Sequence, residues 1–308
     1  MATPADYQPP SSSAMKVRQN ETQALRLLIA QRRWYRRAKR WLAVRWIGMI
    51  IIGLTAPVIS VIWPSLAVAA GAVAGLWLFL GRTVLVLMQA SITAKAAAVQ
   101  EQLDFHIFGM PRTADRSTLP SLEEISAIAG PDDEVEAIAA KEELLDWYPI
   151  NDADAGPVSV AIAQRANASY TDSLLRTTAI VWTVATAAWV IVLVIVSLLA
   201  GLSLSTFLLG IALPVLPAFL DVVQYVVGVW RSARDRADLA RTIAGHLDGS
   251  AGPVQAEDLV VWQDRMYELR RAAPEVPDLL YKLKRKVNER AMTSAARQLS
   301  DKAKESGQ

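Results

Sequence analysis

The side chains that could make or break bonds are few in this chain and stand apart. It has two histidines, His106 and His246, and no cysteine. Neither histidine has a second ligand at metal-binding spacing, and no His-Glu-x-x-His pattern occurs. The phosphate-cradling loops Gly-x-x-x-x-Gly-Lys-Ser/Thr and Gly-x-Gly-x-x-Gly are absent, as is the Gly-x-Ser-x-Gly elbow that presents a nucleophilic serine. Without cysteine there is no thiol nucleophile, thiolate metal site or disulfide framework. Asp132-Asp133-Glu134 and Glu142-Glu143 could hold a divalent ion, but such runs read first as the solvated face of a helix. The sequence points away from an enzyme and implies no cofactor.

What remains is charge in unusual places. Arg45, Arg82 and Asp221 sit at the edges of long apolar runs. At about 1.5 Å per helical residue, each lies roughly 28 Å from the turn of its own apolar hairpin. The three therefore share one level. One reading is interfacial snorkelling, which suits arginine. The other is a ring of charge at the inner mouth of a pore, or an Arg82–Asp221 pair that locks a bundle.

Four apolar stretches carry these charges: Trp46 to Trp63, Ala67 to about Leu87, Ala179 to Ala200, and Leu202 to Trp230. About 20 apolar residues span about 30 Å of hydrocarbon as a helix. Trp63-Pro64-Ser65 and Ala200-Gly201-Leu202-Ser203 join them into two hairpins, leaving almost nothing on one side of the membrane. Residues 1–45 hold 10 basic and 2 acidic residues, and the turns hold no Lys or Arg. The positive-inside rule then predicts that both termini and the central segment are cytoplasmic. Residues 91–176 hold 6 basic and 15 acidic residues, a net of −9, so the basic arm faces two candidate partners. It can meet anionic lipid headgroups or dock on the acidic segment.

The chain thus divides into a Pro- and Ser-rich disordered tail over 1–15, a basic amphipathic helix over 16–45, and a transmembrane hairpin over 46–90. An acidic cytoplasmic helical segment follows over 91–176, then a second hairpin over 177–230 and C-terminal cytoplasmic helices over 231–308. Ser121 with Glu124 has capping-box spacing and predicts a short helix. A further helix is expected from Pro131 through Leu145, others over Val158–Arg176 and Glu257–Ala272, and a last one from Leu279 to Lys304. No segment alternates with period two, so the fold class is all-α: four transmembrane helices in two hairpins with a helical cytoplasmic domain. Pro214 and Pro217 lie mid-span in the fourth stretch, where each removes a backbone donor; they form a kink, static or hinged. Gly71 and Gly75 make a Gly-x-x-x-Gly, which permits close helix contact.

Several cytoplasmic words carry a resemblance. They are Arg18-Gln19-Asn20-Glu21, Ala30-Gln31-Arg32-Arg33-Trp34-Tyr35, Val99-Gln100-Glu101-Gln102-Leu103-Asp104 and Phe108-Gly109-Met110-Pro111. Asp146-Trp147-Tyr148-Pro149, Ala163-Gln164-Arg165-Ala166-Asn167 and Asp172-Ser173-Leu174-Leu175-Arg176 follow before the third span. In this order around two hairpins, the chain resembles the S-4TM family of SMODS-associated four-transmembrane pore-forming effectors. The resemblance covers about residues 16–290, although Arg112 stands where the family pattern has an aromatic. It implies a bacterial anti-phage system of the CBASS type, in which a cyclic oligonucleotide made after infection triggers inner-membrane damage. It also implies signal-binding or docking roles for Arg18, Gln19, Asn20, Arg32, Tyr35, Gln100, Glu101, Asp104, Gln164, Arg165, Asn167 and Arg176. Arg18, Arg32, Arg165 and Arg176 are the candidates to meet a polyanion, through bidentate contacts. Arg82, Asp221, Pro214 and Pro217 are the candidate pore or gate residues. The expected partners are membrane lipid, further copies of the chain and a cyclic oligonucleotide, with no nucleic-acid polymer. A non-enzymatic membrane scaffold or sensor that recruits a partner through its cytoplasmic helices is the competing reading.

Overall fold

Ala-, Leu- and Val-rich sequence with few interior breakers costs little to wind into helix. In the computed structural model, which describes residues 6–112 and 114–308, the regular elements are accordingly helices. A short α1 (Ser12–Arg18) precedes α2 (Thr22–Ile62), which carries the basic arm and the first apolar stretch as one unbroken rod of 41 residues. After a 3₁₀ turn come α3 (Ala67–Leu80), a π-helical turn at Gly81–Leu85 and α4 (Val86–Phe108). Two short helices, α5 (Leu122–Ala129) and α6 (Val135–Lys141), form the central segment. A second rod, α7 (Gly156–Leu199), leads to α8 (Leu204–Phe207), a π turn at Leu208–Ala212 and α9 (Leu213–Leu247). The chain closes with α10 (Ala256–Arg271) and α11 (Asp278–Glu305).

Local chemistry sets the boundaries. The expected capping box is present: Ser121 Oγ accepts from Glu124 N and Glu124 Oε2 from Ser121 N, both at 3.2 Å. Helix α4 stops at Gly109, whose φ of +64° is a left-handed cap that glycine adopts freely. The helix expected through Leu145 is shorter than its sequence suggested. It ends at Lys141, and Glu143 and Asp146 take positive φ values of 55° and 50°.

The tail is corrected from Asp6 onward; Met1–Ala5 lie outside the described residues. Tyr7 is buried and its hydroxyl donates to Phe108 O at 2.8 Å. Ser12 Oγ donates to Asp154 O at 2.6 Å, and Met15 is fully enclosed. One aromatic and one Met suffice to dock a Pro-rich segment that compositional reasoning assigns to disorder.

The main core lies at the end of the helices away from the apolar hairpin turns. Leu25, Leu28 and Ile29 of α2 pack with Leu103 and Ile107 of α4, Val160 and Ile162 of α7, Ile243 of α9 and Leu259 of α10. Each such side chain contributes about 1.5–3 kcal/mol by leaving water. The other end is bare of protein partners: Ile47, Ile51, Val184, Ile191 and Leu199 are exposed. Ala67–Phe108 and Gly156–Leu199 are each long and apolar enough to cross a membrane. Leu204–Ala212 and Val215–Leu247, bent by 60° at their junction, make a third crossing if the pair is one broken span. The expectation of four spans is met only in part, by two or three among the described residues.

Candidate functional site: two buried charge networks

Asp221 on α9 is the meeting point of the first network, with its side chain only 3% exposed. Arg45 of α2 donates Nη2 to Asp221 Oδ2, and Arg82 of the first π turn donates Nε to Oδ1 at 3.2 Å. Arg82 Nη2 also reaches Gln224 Oε1 at 3.5 Å. Three apolar hairpin limbs are therefore tied at one level by one carboxylate. Beside it Trp46, Trp182 and Tyr225 pack with ring centroids 4.3 to 5.7 Å apart, Tyr225 edge-on to both indoles. The Trp77 ring packs against the backbone of α2 nearby. A Cβ at Gly48 would stand 2.1 Å from the Trp77 ring, so only glycine fits there. Pro217 lies inside α9, just beyond the 60° bend; the side chain of Pro214 is outside the described residues. Gly71 and Gly75 face outward, with nothing within 4 Å of an added Cβ.

The second network lies in the main core. Asp104 on α4, fully enclosed, accepts from the Tyr148 hydroxyl at 2.5 Å, from Gln263 Nε2 at 2.8 Å and from Arg270 Nη1 at 2.6 Å. One turn earlier, Arg116 clasps both Glu101 oxygens at 2.9 Å and reaches on to Asp264. Burial raises the Glu101 pKa, with Arg116 opposing it. Gln164 Nε2 donates to Leu259 O at 2.9 Å and to Gln263 Oε1 at 3.2 Å, and the Tyr35 hydroxyl donates to Gln100 Oε1 at 3.1 Å. Arg236 donates to Leu269 O at 2.6 Å, and burial draws its pKa down to about 10.

The resemblance-derived candidates thus sort by place. Gln19, Gln100, Glu101, Asp104 and Gln164 are buried and bonded within the chain. Gln19 Oε1 accepts from Tyr148 N at 2.9 Å, and Asn20 exchanges bonds of 2.9 and 3.0 Å with Asp146. Arg32 Nη1 donates to Glu142 O at 3.0 Å, while neighbouring Arg33 donates to Ile128 O and Ala129 O. Arg26 bonds Asp132 and Arg36 lies 3.6 Å from Glu142, so the basic arm docks on the acidic segment. Arg18 is half-buried at the Gly109 turn. Half-buried Arg165 has its pKa lowered by burial, the Asn167 carbonyl accepts from Thr171 Oγ1 at 3.0 Å, and Arg176 pairs with Asp172 at 2.7 Å. These last three are not gathered with the others into one site. Sequence reasoning missed Arg116, Arg236, Gln263 and Arg270, which arrive from distant segments. The one available signal was that Gln100, Glu101 and Asp104 share a face with Ala97, a polar cluster in a helix that is otherwise largely apolar.

Against this geometry the family comparison is informative. The sequence model of the SMODS-associating 4TM effector domain matches residues 14–299. The chain belongs to that family. The match covers both networks, the apolar helices and most of α11, and it gives the chain an effector role associated with SMODS systems. It describes a transmembrane effector family rather than an enzyme family, in keeping with a multi-pass membrane protein. Neither the curated proteins nor the solved structures compared with the chain gave a match.

One carboxyl of the core sits where its protonation matters. Glu275, in the linker between α10 and α11, accepts from Thr93 Oγ1 at 2.8 Å, and its carbonyl accepts from the Tyr225 hydroxyl at 2.9 Å. Burial pushes its pKa up to about 7, with Thr93 and Lys39 opposing. The unfolded chain releases this proton near the ordinary value of 4.5, so between there and about 7 the folded state holds more protons. Stability from this group is full below the lower value and is lost as pH rises through the upper one. The difference is on the order of 3 kcal/mol. The apparent melting temperature in detergent is expected to fall from pH 5 to pH 8, and Glu275→Gln should flatten that component. An unchanged slope in the variant removes Glu275 as its source.

Proposed function

We propose that this chain is a membrane-permeabilising effector of a nucleotide-signalled anti-phage system. Its cytoplasmic helices sense a signal, and its apolar helices, assembled from several copies in the bacterial inner membrane, open a pore. The observation that carries the reading is continuity. Helices α2, α4, α7 and α9 run without a loop from the cytoplasmic core into the apolar layer, so strain in one is delivered to the other. All four limbs cross in this reading, α2 included, which agrees with the four-transmembrane description of the family. The 10 basic residues before the first span support cytoplasmic termini, and a reporter fused after Gln308 reads its side directly.

The bend in α9 supports a place for gating. Proline at 214 and 217 removes the donors to the carbonyls of Gly210 and Leu213. A π turn lies immediately before, and such turns recur at functional sites. The half of α9 beyond the bend carries Asp221 and continues into the soluble core. A helix already short of hydrogen bonds there can flex with little further loss. The test is dye release from liposomes carrying the purified chain, with cyclic oligonucleotides added to the face bearing the soluble helices. Signal-dependent release is expected, and Pro214→Ala/Pro217→Ala should reduce it about tenfold, a barrier change near 1.4 kcal/mol, with insertion unchanged. Equal release from the double variant removes the hinge. No release from the assembled parent under any cyclic oligonucleotide favours the scaffold reading.

A further inference from the structure

We infer that the outward face of α11 is the surface on which a second copy of this chain docks, through the acidic α6 region of that copy. The inference rests on the assembly reading above and names the contact that assembly would use.

Helix α11 turns Tyr281, Asn288, Ala296 and Leu299 toward the chain. Its opposite side is left without a partner in an unusual way. Leu279, Leu283 and Val287, one turn apart from each other, are 70%, 67% and 61% exposed. Lys282, Lys286 and Arg290 repeat at the same four-residue interval, and all three are exposed. None of them has an ion pair among the described residues, since Asp278 is taken by Lys39 and Glu289 by Arg285. At 100° per residue these six positions share one outward face, so aliphatic and cationic groups are interleaved on it. A solvated helix has no need of three large aliphatics in register.

The complementary charge lies on the same chain. Asp133, Glu134 and Glu136, at the start of α6, are exposed and carry no ion pair among the described residues. They sit at a matching depth. Asp278 bonds Lys39 and neighbouring Asp132 bonds Arg26, and on α2 those two cations are about 20 Å apart along the axis. Helix α11 descends from Asp278 until Ser300 meets Asp154, just before α7 begins. Lys282 to Arg290 therefore fall about 6 to 18 Å below Asp278, within the same interval. The two sets also adjoin, for Arg285 of α11 lies 3.1 Å from Glu143, just beyond α6. Copies in one membrane share orientation and depth, so they can meet only through lateral surfaces at equal height. Rotation about an axis along the membrane normal brings the basic set of one copy to the acidic set of the next.

The full chain, reconstituted in nanodiscs of neutral or anionic lipid, is cross-linked and its oligomeric state is read. The parent is expected to form dimers or larger species in both lipids. Lys282→Glu/Lys286→Glu/Arg290→Glu should lower the cross-linked fraction about tenfold, as expected for three opposed pairs of order 0.5 kcal/mol each. Asp133→Lys/Glu134→Lys/Glu136→Lys should do the same. The two variants mixed should cross-link to each other at the parent level, which also shows that each is folded. A parent level of self-association in the basic-face variant overturns the surface while leaving assembly standing. A loss seen only in anionic lipid and not rescued by the acidic-face variant assigns the face to headgroups, which also overturns it. A parent that is monomeric throughout sinks both this surface and the assembly it rests on.

Discussion

Replacing Asp221 with Asn is expected to destabilise the membrane end of this chain and to change its leak. The carboxylate is 3% exposed and the Arg45 side chain 12%, so neither group can recover hydration when the other is lost. Removing one member of a buried pair costs about 3–5 kcal/mol, because an uncompensated charge remains. Here two guanidinium groups would remain and repel each other. Arg82 is a weaker member. Its side chain is 45% exposed, and neutralising it alone should cost no more than about 1 kcal/mol. The expected order of damage is therefore Asp221→Asn, then Arg45→Gln, then Arg82→Gln, measured as melting temperature in detergent and as dye release. Combining Arg45→Gln with Asp221→Asn should cost less than the sum of the single changes, since the second change removes a charge that the first has orphaned. If Asp221→Asn matches the parent in both measurements, the three charges only snorkel at the interface.

How this cluster was legible shows what sequence can and cannot carry. Counting residues from each turn placed Arg45, Arg82 and Asp221 at one depth, because helical rise is fixed and apolar runs have visible ends. The count could not say that one carboxylate takes both arginines, since rotation about each helix axis is set by packing. The same limit hid the network around Asp104. Arg116 follows a Gly-Met-Pro break and Arg270 sits in a charged helix, and nothing local distinguishes either from a solvated arginine. Their partners lie 15 and 166 residues away. The tail failed for a different reason. Tyr7 is a lone aromatic in a Pro- and Ser-rich stretch, and periodicity needs more than one member to be seen. The long rods, the capping box at Ser121 and the break at Gly109 were readable because their causes are local.

The role of Asp104 follows from the same accounting and separates two readings of the stretch from Val99 to Asp104. As a signal contact, Asp104 would be dispensable for folding. Its surroundings argue otherwise. Oδ1 takes the Tyr148 hydroxyl, and Oδ2 takes both Gln263 Nε2 and Arg270 Nη1. It thereby joins α4, α10 and the loop that leads into α7. The Arg270 side chain is 7% exposed, and burial opposes its charge, yet Asp104 and its other neighbours hold its pKa above the ordinary arginine value. Asp104→Asn keeps the shape but removes the counter-charge, leaving a buried guanidinium uncompensated at a cost of about 3–5 kcal/mol. Poor folding, early thermal melting and protease sensitivity of the helices around Asp104 are expected, before any question of signalling arises. Replacing both members with apolar residues, Asp104→Leu with Arg270→Met, should recover much of that loss, because a buried ion pair is rarely better than a well-packed apolar one. A contrary result is easily recognised. If Asp104→Asn melts with the parent but no longer responds to the cyclic oligonucleotide, the carboxylate serves recognition and the core is held by other contacts.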